Sequence, residues 1–556
     1  MEKQFSIIRY LVLALLLSVF SVANSQTTFV KKAIFYAVTS DSTVMVIHYN
    51  NYKGKIVIPS EVTNNDVTYR VTALDEGVFR DTQVRSVELP SSITEIPKNA
   101  FLRCDQLTDV VFPESIETLG ESSFQFCDFT KIVLPPYLKN IGDKAFYECT
   151  TLQEINWPQS LKTIGQEAFY RCDSLREVDF PVSLESIGSN AFASSGISSV
   201  TFHEGLLRDL PTQCFQECLN LESIVLSDNI TSIQGSCFDN CCNLKEVILS
   251  SNLQEIGGYA FRKCALLREI HMGDEMKTIG EGAFTGCSSL LTVDFGNSLE
   301  RISPHAFEGC HRLQSIELPA TLKKIDYGVF NSCTNLMKVT CHAEQPAKCS
   351  LDPFNRMTYW FATLIVPEAC KNQYQHSEGW EHFEYINEES GNSRMINITC
   401  SGDGGSVVTG NQTAMMYHPV WTSVPNESPL SLMIQTNTSH IYKIVVNDVD
   451  MTDQVVDNQL TIPSVTEDLD INVSFNYRKF VLFLHQAEGG SFNLHETGRY
   501  KVKVIPNQGS RIAFAGFDGG GDISSWRIDE QGFLYISTEY IDRKLKIVFE
   551  KDHHEE

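Results

Sequence analysis

Ten cysteines in the middle of this chain stand at near-equal spacing: Cys104, Cys127, Cys149, Cys172, Cys218, Cys241, Cys264, Cys287, Cys310 and Cys333, with Ser195 filling the one gap. Thiols at regular intervals offer two chemistries, disulfide formation and metal ligation. Steps of 22 or 23 residues, without close Cys-x-x-Cys pairs or matching histidines, do not make a zinc pattern. Residues in register on adjacent strands would sit about 5 Å apart at Cα, inside the disulfide window. Their side chains would however point the same way, which is poor disulfide geometry. A ladder of buried thiols, each packing as a small hydrophobe, is the simpler reading, and pairing of adjacent thiols is the alternative. Cys214 and Cys237 hold another shared place and would stack or bond, and Cys341, Cys349 and Cys370 fall in a closing region where a bond would also fit. The total of 17 is odd, so at least one thiol stays free or bonds elsewhere.

Carboxylates are the second candidate. Glu154, Glu177, Asp179, Glu246, Glu269, Asp294 and Glu317 fall at two outward places of a recurring strand, beside Lys131 and Lys338. Such rows would suit a basic protein patch or calcium. The blander reading is a solvated face whose charges pair with each other, since Arg85, Arg176, Lys245 and Arg268 interleave and several precede an acid directly, as in Arg268-Glu269. Val225 and Ile248, adjacent in one outward row, form a small apolar spot. Carboxylate pairs are everywhere in so acidic a chain, so none marks glycosidase chemistry. His-Glu-x-x-His, Gly-x-Ser-x-Gly and a phosphate-cradling Gly-Lys-Ser/Thr loop are all missing from the sequence. The 14 histidines do not cluster along the chain, and His553 and His554 sit on a polar tail. The expectation is a binding protein, not an enzyme, with no cofactor and no metal. Calcium is the one ion the acids would suit, but Asp518-Gly519-Gly520-Gly521-Asp522 occurs once, and a calcium-binding array would repeat.

What positions these residues is a beat of phenylalanines: Phe79, Phe101, Phe124, Phe146, Phe169, Phe192, Phe215, Phe238, Phe261, Phe284, Phe307 and Phe330. A fixed period in the range of about 20 to 29 residues marks a solenoid with one strand per coil. In Leu175-Arg176-Glu177-Val178-Asp179-Phe180 the first, fourth and sixth residues are apolar and point inward, while the others face solvent. Pro90, Pro113, Pro135, Pro158, Pro181 and Pro319 follow their strands and stop the ladder. Gly120, Gly142, Gly165, Gly188, Gly257 and Gly280 recur at one turn, where positive φ or close backbone approach is expected. The Ala-Phe pair would form a tight turn or helical stub. No coil buries its own apolar face, so stacking must. Twelve coils of 22–23 residues would make a parallel sheet about 60 Å long at about 4.8 Å per strand.

The coil Leu-x-x-Val-x-Phe-Pro-x-x-Leu-x-x-Ile-Gly-x-x-Ala-Phe-x-x-Cys resembles the BspA-like leucine-rich repeats of bacterial, Bacteroides-type surface proteins. The lead-in from Tyr36 to Tyr69 and the exit from Val366-Pro367 to Ile386 resemble that family's usual ends, so the likeness covers about residues 30 to 388. It implies an exported, often adhesive surface protein, with relatives linked to matrix or host-cell binding. The family has no shared active site, so it lends no functional residue.

The rest of the chain follows from composition. At 556 residues several domains are expected. A net charge of −25 argues against nucleic acid or an anionic membrane as partner. Lys3 and Arg9, an apolar run from Tyr10 to Val22, and Ala23-Asn24-Ser25 before Gln26 read as a cleavable signal segment over 1–25, with an uncleaved anchor as the alternative. No Cys follows the cut, so a lipoprotein is not expected, and no later segment has 18 unbroken apolar residues. Residues 26–76 read as a β cap, with Met45-Val46-Ile47-His48-Tyr49 and Ile56-Val57-Ile58 among its strands, and 77–388 as the solenoid with its closing cap. Two small all-β, sandwich-like modules are expected at 389–476 and 477–556. Gly404-Gly405-Ser406-Val407 in the first echoes Gly489-Gly490-Ser491-Phe492 in the second. Trp421 and Trp526 would stack on a sugar or pack in a core. The functional expectation is a secreted or cell-surface adhesion protein that binds a host or matrix protein through its solenoid, with glycan capture by the β modules as the alternative.

Overall fold

The computed structural model describes residues 27–389, residues 393–477 apart from 403–404, 411, 417–418 and 437–438, and five strands between 490 and 551. The signal segment 1–25, the Asp518–Asp522 loop, Trp526 and the tail histidines lie outside the described residues. The chain divides into two compact units, residues 1–393 with 421–423, and residues 394–420 with 424–556.

In the first unit the apolar alternation of each coil becomes a three-sided turn of solenoid. Leu175, Val178 and Phe180 are buried, while Glu177 and Asp179 on the strand Glu177–Asp179 face solvent. The second side is a two-residue strand that the sequence reading did not separate from its turn. Thr118–Leu119, Asn140–Ile141, Thr163–Ile164 and Ser186–Ile187 pair in parallel register, Ile141 against Ile164 and Ile164 against Ile187. The third side is a turn, with no helix. There the Phe amide donates to the next coil, Phe146 N–H to Ala168 O at 2.8 Å and Phe169 N–H to Ala191 O at 2.7 Å.

Buried at the centre, the beat phenylalanines form one column. Phe101 and Phe124 rings lie 4.9 Å apart at 6°, and Phe169 and Phe192 5.1 Å apart at 2°. Each stacked ring pair adds about 0.5–1.5 kcal/mol to the burial of its area. The column runs past Phe330 to Phe354 at 5.2 Å. Tyr52 tilts against Phe79 at one end, and Trp380 and Phe383 pack on Phe354 at the other.

None of the six recurring glycines takes positive φ; close approach is what requires them. A Cβ on Gly257 would stand 2.7 Å from the backbone of Gln234 and Gly235, and one on Gly188 would overlap the backbone of Gln166. The left-handed turns fall on other residues, such as Lys144 (φ 55°) and Glu148 (φ 52°), two and four positions on from Gly142 and Lys144 respectively.

At the entrance Ile34–Val38 pairs antiparallel with Thr43–Val46, and Lys53–Val57 already runs parallel to Gln83–Glu88. At the exit Thr363–Pro367 and Tyr385–Glu389 continue the parallel sheet from Lys338–Cys341. Two short helices, Arg356–Phe361 and Lys371–Gln375, join them. Asn355 Oδ1 caps the first by accepting from Thr358 N–H at 2.9 Å.

The second unit opens with two sheets whose apolar faces meet. One holds Ser393–Ser401, Val420–Pro425, Ser439–Val446, Val449–Asp450 and Leu469–Tyr477, the other Gly405–Thr409, Gln412–Met415, Ser428–Thr436 and Gln459–Val465. Ile396, Val407, Leu432, Ile444, Leu460 and Val473 are in its core. Gly405 has no side chain because the Phe475 ring occupies that space. The remaining strands are Gly490–Leu494, Lys501–Pro506, Ser510–Phe517, Phe533–Tyr535 and Leu545–Lys551.

Candidate binding face

Each outward place of the strand becomes a row, because successive coils pair in register. Glu88 stands against Val111, Thr201 against Val225, Val225 against Ile248, His271 against Asp294 and Glu317 against Thr340. Val225 and Ile248 are 53% and 49% exposed, and Val111 and Val133 in the same row are 48% and 62% exposed. The row therefore carries two apolar spots, of which the sequence reading singled out one.

The acids divide by what faces them. Glu154 is paired with Lys131 at 2.6 Å, and Asp179 with His203 Nε2 at 2.7 Å. Asp294 lies 3.6 Å from His271 Nδ1, and Glu317 3.9 Å from His342 Nε2. Glu177, Glu246 and Glu269 are exposed, and among the described residues no cation stands within ion-pair distance of them. Glu246 and Glu269 hold the same place in successive coils. Charge pairing does occur on this molecule, mainly between coils, with a few pairs inside one coil such as Lys324–Asp326 at 2.7 Å. Lys98–Glu121, Lys139–Glu117, Lys162–Glu185 and Lys245–Glu222 all join at 2.7 to 2.9 Å. The expected pairing of Arg268 with Glu269 is absent. Neighbours in a strand diverge, whereas the same place one coil away is a single strand spacing off, about 4.8 Å. The same geometry brings His203, His271 and His342 to the acids, although along the chain they are scattered.

The strand ladder is interrupted between Thr292–Asp294 and Ser315–Leu318, which belong to separate sheets. A cleft of about 330 Å³ lies there, lined by Asp294, Gly296, Asn297, Ser315, Glu317 and His342 among others. Two of the acids anticipated from sequence, Asp294 and Glu317, are thus brought to one cleft.

All seventeen cysteines are free thiols, and the repeated ten are more than fillers. Cys127 Sγ donates to Phe101 O at 3.1 Å and Cys264 Sγ to Phe238 O at 3.3 Å, and the others repeat the contact. Burial pushes several of these thiols up, Cys104 and Cys149 to about 12 and Cys218 to about 11. They are thus held protonated, unlike reactive thiolates. Among the described residues no three His, Cys, Asp or Glu are grouped to hold a metal ion. Trp421 is half-buried, with Lys338 Nζ 4.4 Å from its ring centre. Among the described residues no helix is long and apolar enough to cross a membrane.

A family model described as BspA type Leucine rich repeat region matches residues 25–153, 72–198, 139–268 and 254–346, together more than half of the chain. A leucine-rich repeat protein from Bacteroides ovatus is 24% identical, with a TM-score of 0.51, over 65% of this chain and all of that one. A leucine rich cell surface protein from Faecalibacterium prausnitzii is 20% identical, with a TM-score of 0.39, over 66% of this chain and 96% of that one. The pneumococcal vaccine antigen PcpA is also 20% identical at a TM-score of 0.39, over 66% of this chain and 99% of its own. No curated relative matches the sequence.

Proposed function

Because the chain belongs to the BspA-type leucine-rich-repeat family, we propose that it is an exported bacterial surface protein that binds a host or matrix protein through the strand face of its solenoid. The observation that carries this reading is the exposed strand face on which Glu246 and Glu269 stand without cations among the described residues, in the row beside that of the apolar pair Val225 and Ile248. An apolar centre flanked by unpaired charge of one sign is the composition of a protein-contact patch. The role is binding and not catalysis. The acids supply steering towards a basic partner, and the valine and isoleucine supply area removed from water.

Capture of glycans by the β modules is the second reading. It is the weaker one, because Lys338 already stands over the Trp421 ring that would stack on a sugar.

The test is binding of the full chain to immobilised matrix proteins and to a glycan array, at low and at physiological salt. Saturable protein binding that weakens with salt, and weakens further in the combined variant Glu177→Gln/Glu246→Gln/Glu269→Gln, supports the strand face. Glycan binding that this variant keeps would overturn it.

A further inference from the structure

We propose that the cleft between the strands Thr292–Asp294 and Ser315–Leu318 seats an arginine side chain of the protein partner. This deepens the reading of the strand face as a protein-contact surface and rests on it.

The cleft is built by sequence departures from the repeat. Where six coils carry proline after the strand, as in Phe180-Pro181, this one carries Phe295-Gly296 and the one before it Met272-Gly273. Gly296 has φ 62°, and a Cβ there would stand 2.6 Å from the carbonyl oxygens of Met272 and Gly273. Glycine is therefore needed both for the backbone and for the space. The ladder is paired on either side, His271 to Asp294 and Glu317 to Thr340, and unpaired across the cleft, one of several breaks along this face. Val293, Phe295 and Ile316, all buried, form an apolar floor. At about 330 Å³ the volume is at the small end of ligand sites, enough for one long side chain.

The lining sets the class of occupant. Its polar groups are the carboxylates of Asp294 and Glu317, the Asn297 amide, the Ser315 and Thr292 hydroxyls and the His342 ring, with no Lys or Arg among them. Asp294 is partly committed, since its Oδ1 accepts the Gly296 N–H at 3.1 Å and its Oδ2 faces His271. Among the described residues Glu317 has one charged partner, His342 at 3.9 Å. The two acids come from neighbouring coils and do not converge with a third ligand as a metal would need. A planar guanidinium, with five donors in a fork and an aliphatic stem, matches two separated carboxylates above an apolar floor better than a compact ammonium does.

Titration of the full-length protein with the peptide acetyl-Gly-Arg-Gly-amide, followed by calorimetry and by protein NMR, tests this. The lysine and citrulline versions of the peptide are the controls. The expected result is saturable binding in the order arginine, lysine, citrulline, weakened about tenfold by Glu317→Gln, a variant whose exposed side chain leaves the unfolding midpoint unchanged. A second variant, Ser315→Phe, fills the cleft and should abolish binding. Equal binding of the citrulline peptide, or arginine binding indifferent to both variants, overturns the proposal. Whole-partner binding that survives Glu317→Gln but is lost in the Glu177/Glu246/Glu269 variant refutes the cleft alone. Arginine-peptide binding with no protein partner recovered leaves the cleft standing and refutes the wider reading.

Discussion

Cys172 Sγ lies 3.2 Å from the carbonyl oxygen of Phe146, so its thiol hydrogen is shared with the coil before its own. The contact recurs along the column, Cys149 to Phe124 at 3.1 Å and Cys333 to Phe307 at 3.2 Å. A side chain that fills a small buried space also gives that carbonyl a second donor, beside the backbone N–H of the cysteine in its own coil, as Cys149 N–H to Phe146 O at 3.2 Å.

Cys172→Ala should therefore cost more than its lost volume implies. The cavity and the lost thiol hydrogen bond together predict a loss of about 1–3 kcal/mol, read as a lowered urea midpoint at unchanged m-value. Ser195, at the same place, bonds sideways to Cys218 Sγ at 3.4 Å, so Cys172→Ser should cost less than Cys172→Ala.

The same thiols predict alkaline instability. Burial raises their folded values, Cys104 and Cys149 to about 12, while the unfolded chain ionises near 8.5. Above that pH the unfolded state binds fewer protons than the folded state, so stability falls as pH rises. Each such thiol contributes about 1.4 kcal/mol per pH unit between the two values. Unfolding midpoints should be flat below about pH 8 and drop steeply by pH 10.5. Replacing Cys149 and Cys172 with Ser should make the drop shallower, and an unchanged slope would refute the account.

Gly188→Ala should break a coil. Its Cβ would overlap Gln166 backbone, which has no side-chain freedom with which to yield. A loss of about 3 kcal/mol or more is expected, with amide exchange accelerating first around residues 165–190. Gly54 has open space at the Cβ position but φ 67°, so Gly54→Ala should cost only about 1 kcal/mol.

Asp239 is a buried acid held by Arg262, whose Nε and Nη2 reach it at 2.8 and 2.6 Å, and by Gln216 Nε2 at 3.1 Å. Asp239→Ala leaves a partly exposed guanidinium without its carboxylate and should cost about 1–3 kcal/mol, whereas Asp239→Ala with Arg262→Met should recover much of the loss. Thermal unfolding of the two variants decides it.

How much of this was legible beforehand depends on the distance over which each feature is set. The inward set Leu175, Val178, Phe180 and the closing residues Tyr374, Trp380 and Phe383 could be read because burial follows local alternation. The second strand, as at Thr163–Ile164, could not, since two residues carry no periodicity. The pairing of Lys131 with Glu154 is not legible there, because it joins residues one coil apart and not neighbours along the strand.

The sequence by itself determined the solenoid, its coil length and its core, because a repeat imposes one pattern on every coil and only stacking can bury it. The tertiary structure alone decided which acids stay unpaired, that Asp294 and Glu317 share a cleft, and that the thiols bond backward to phenylalanine carbonyls. Those relations join residues more than twenty positions apart, and their distances depend on how one coil seats on the next.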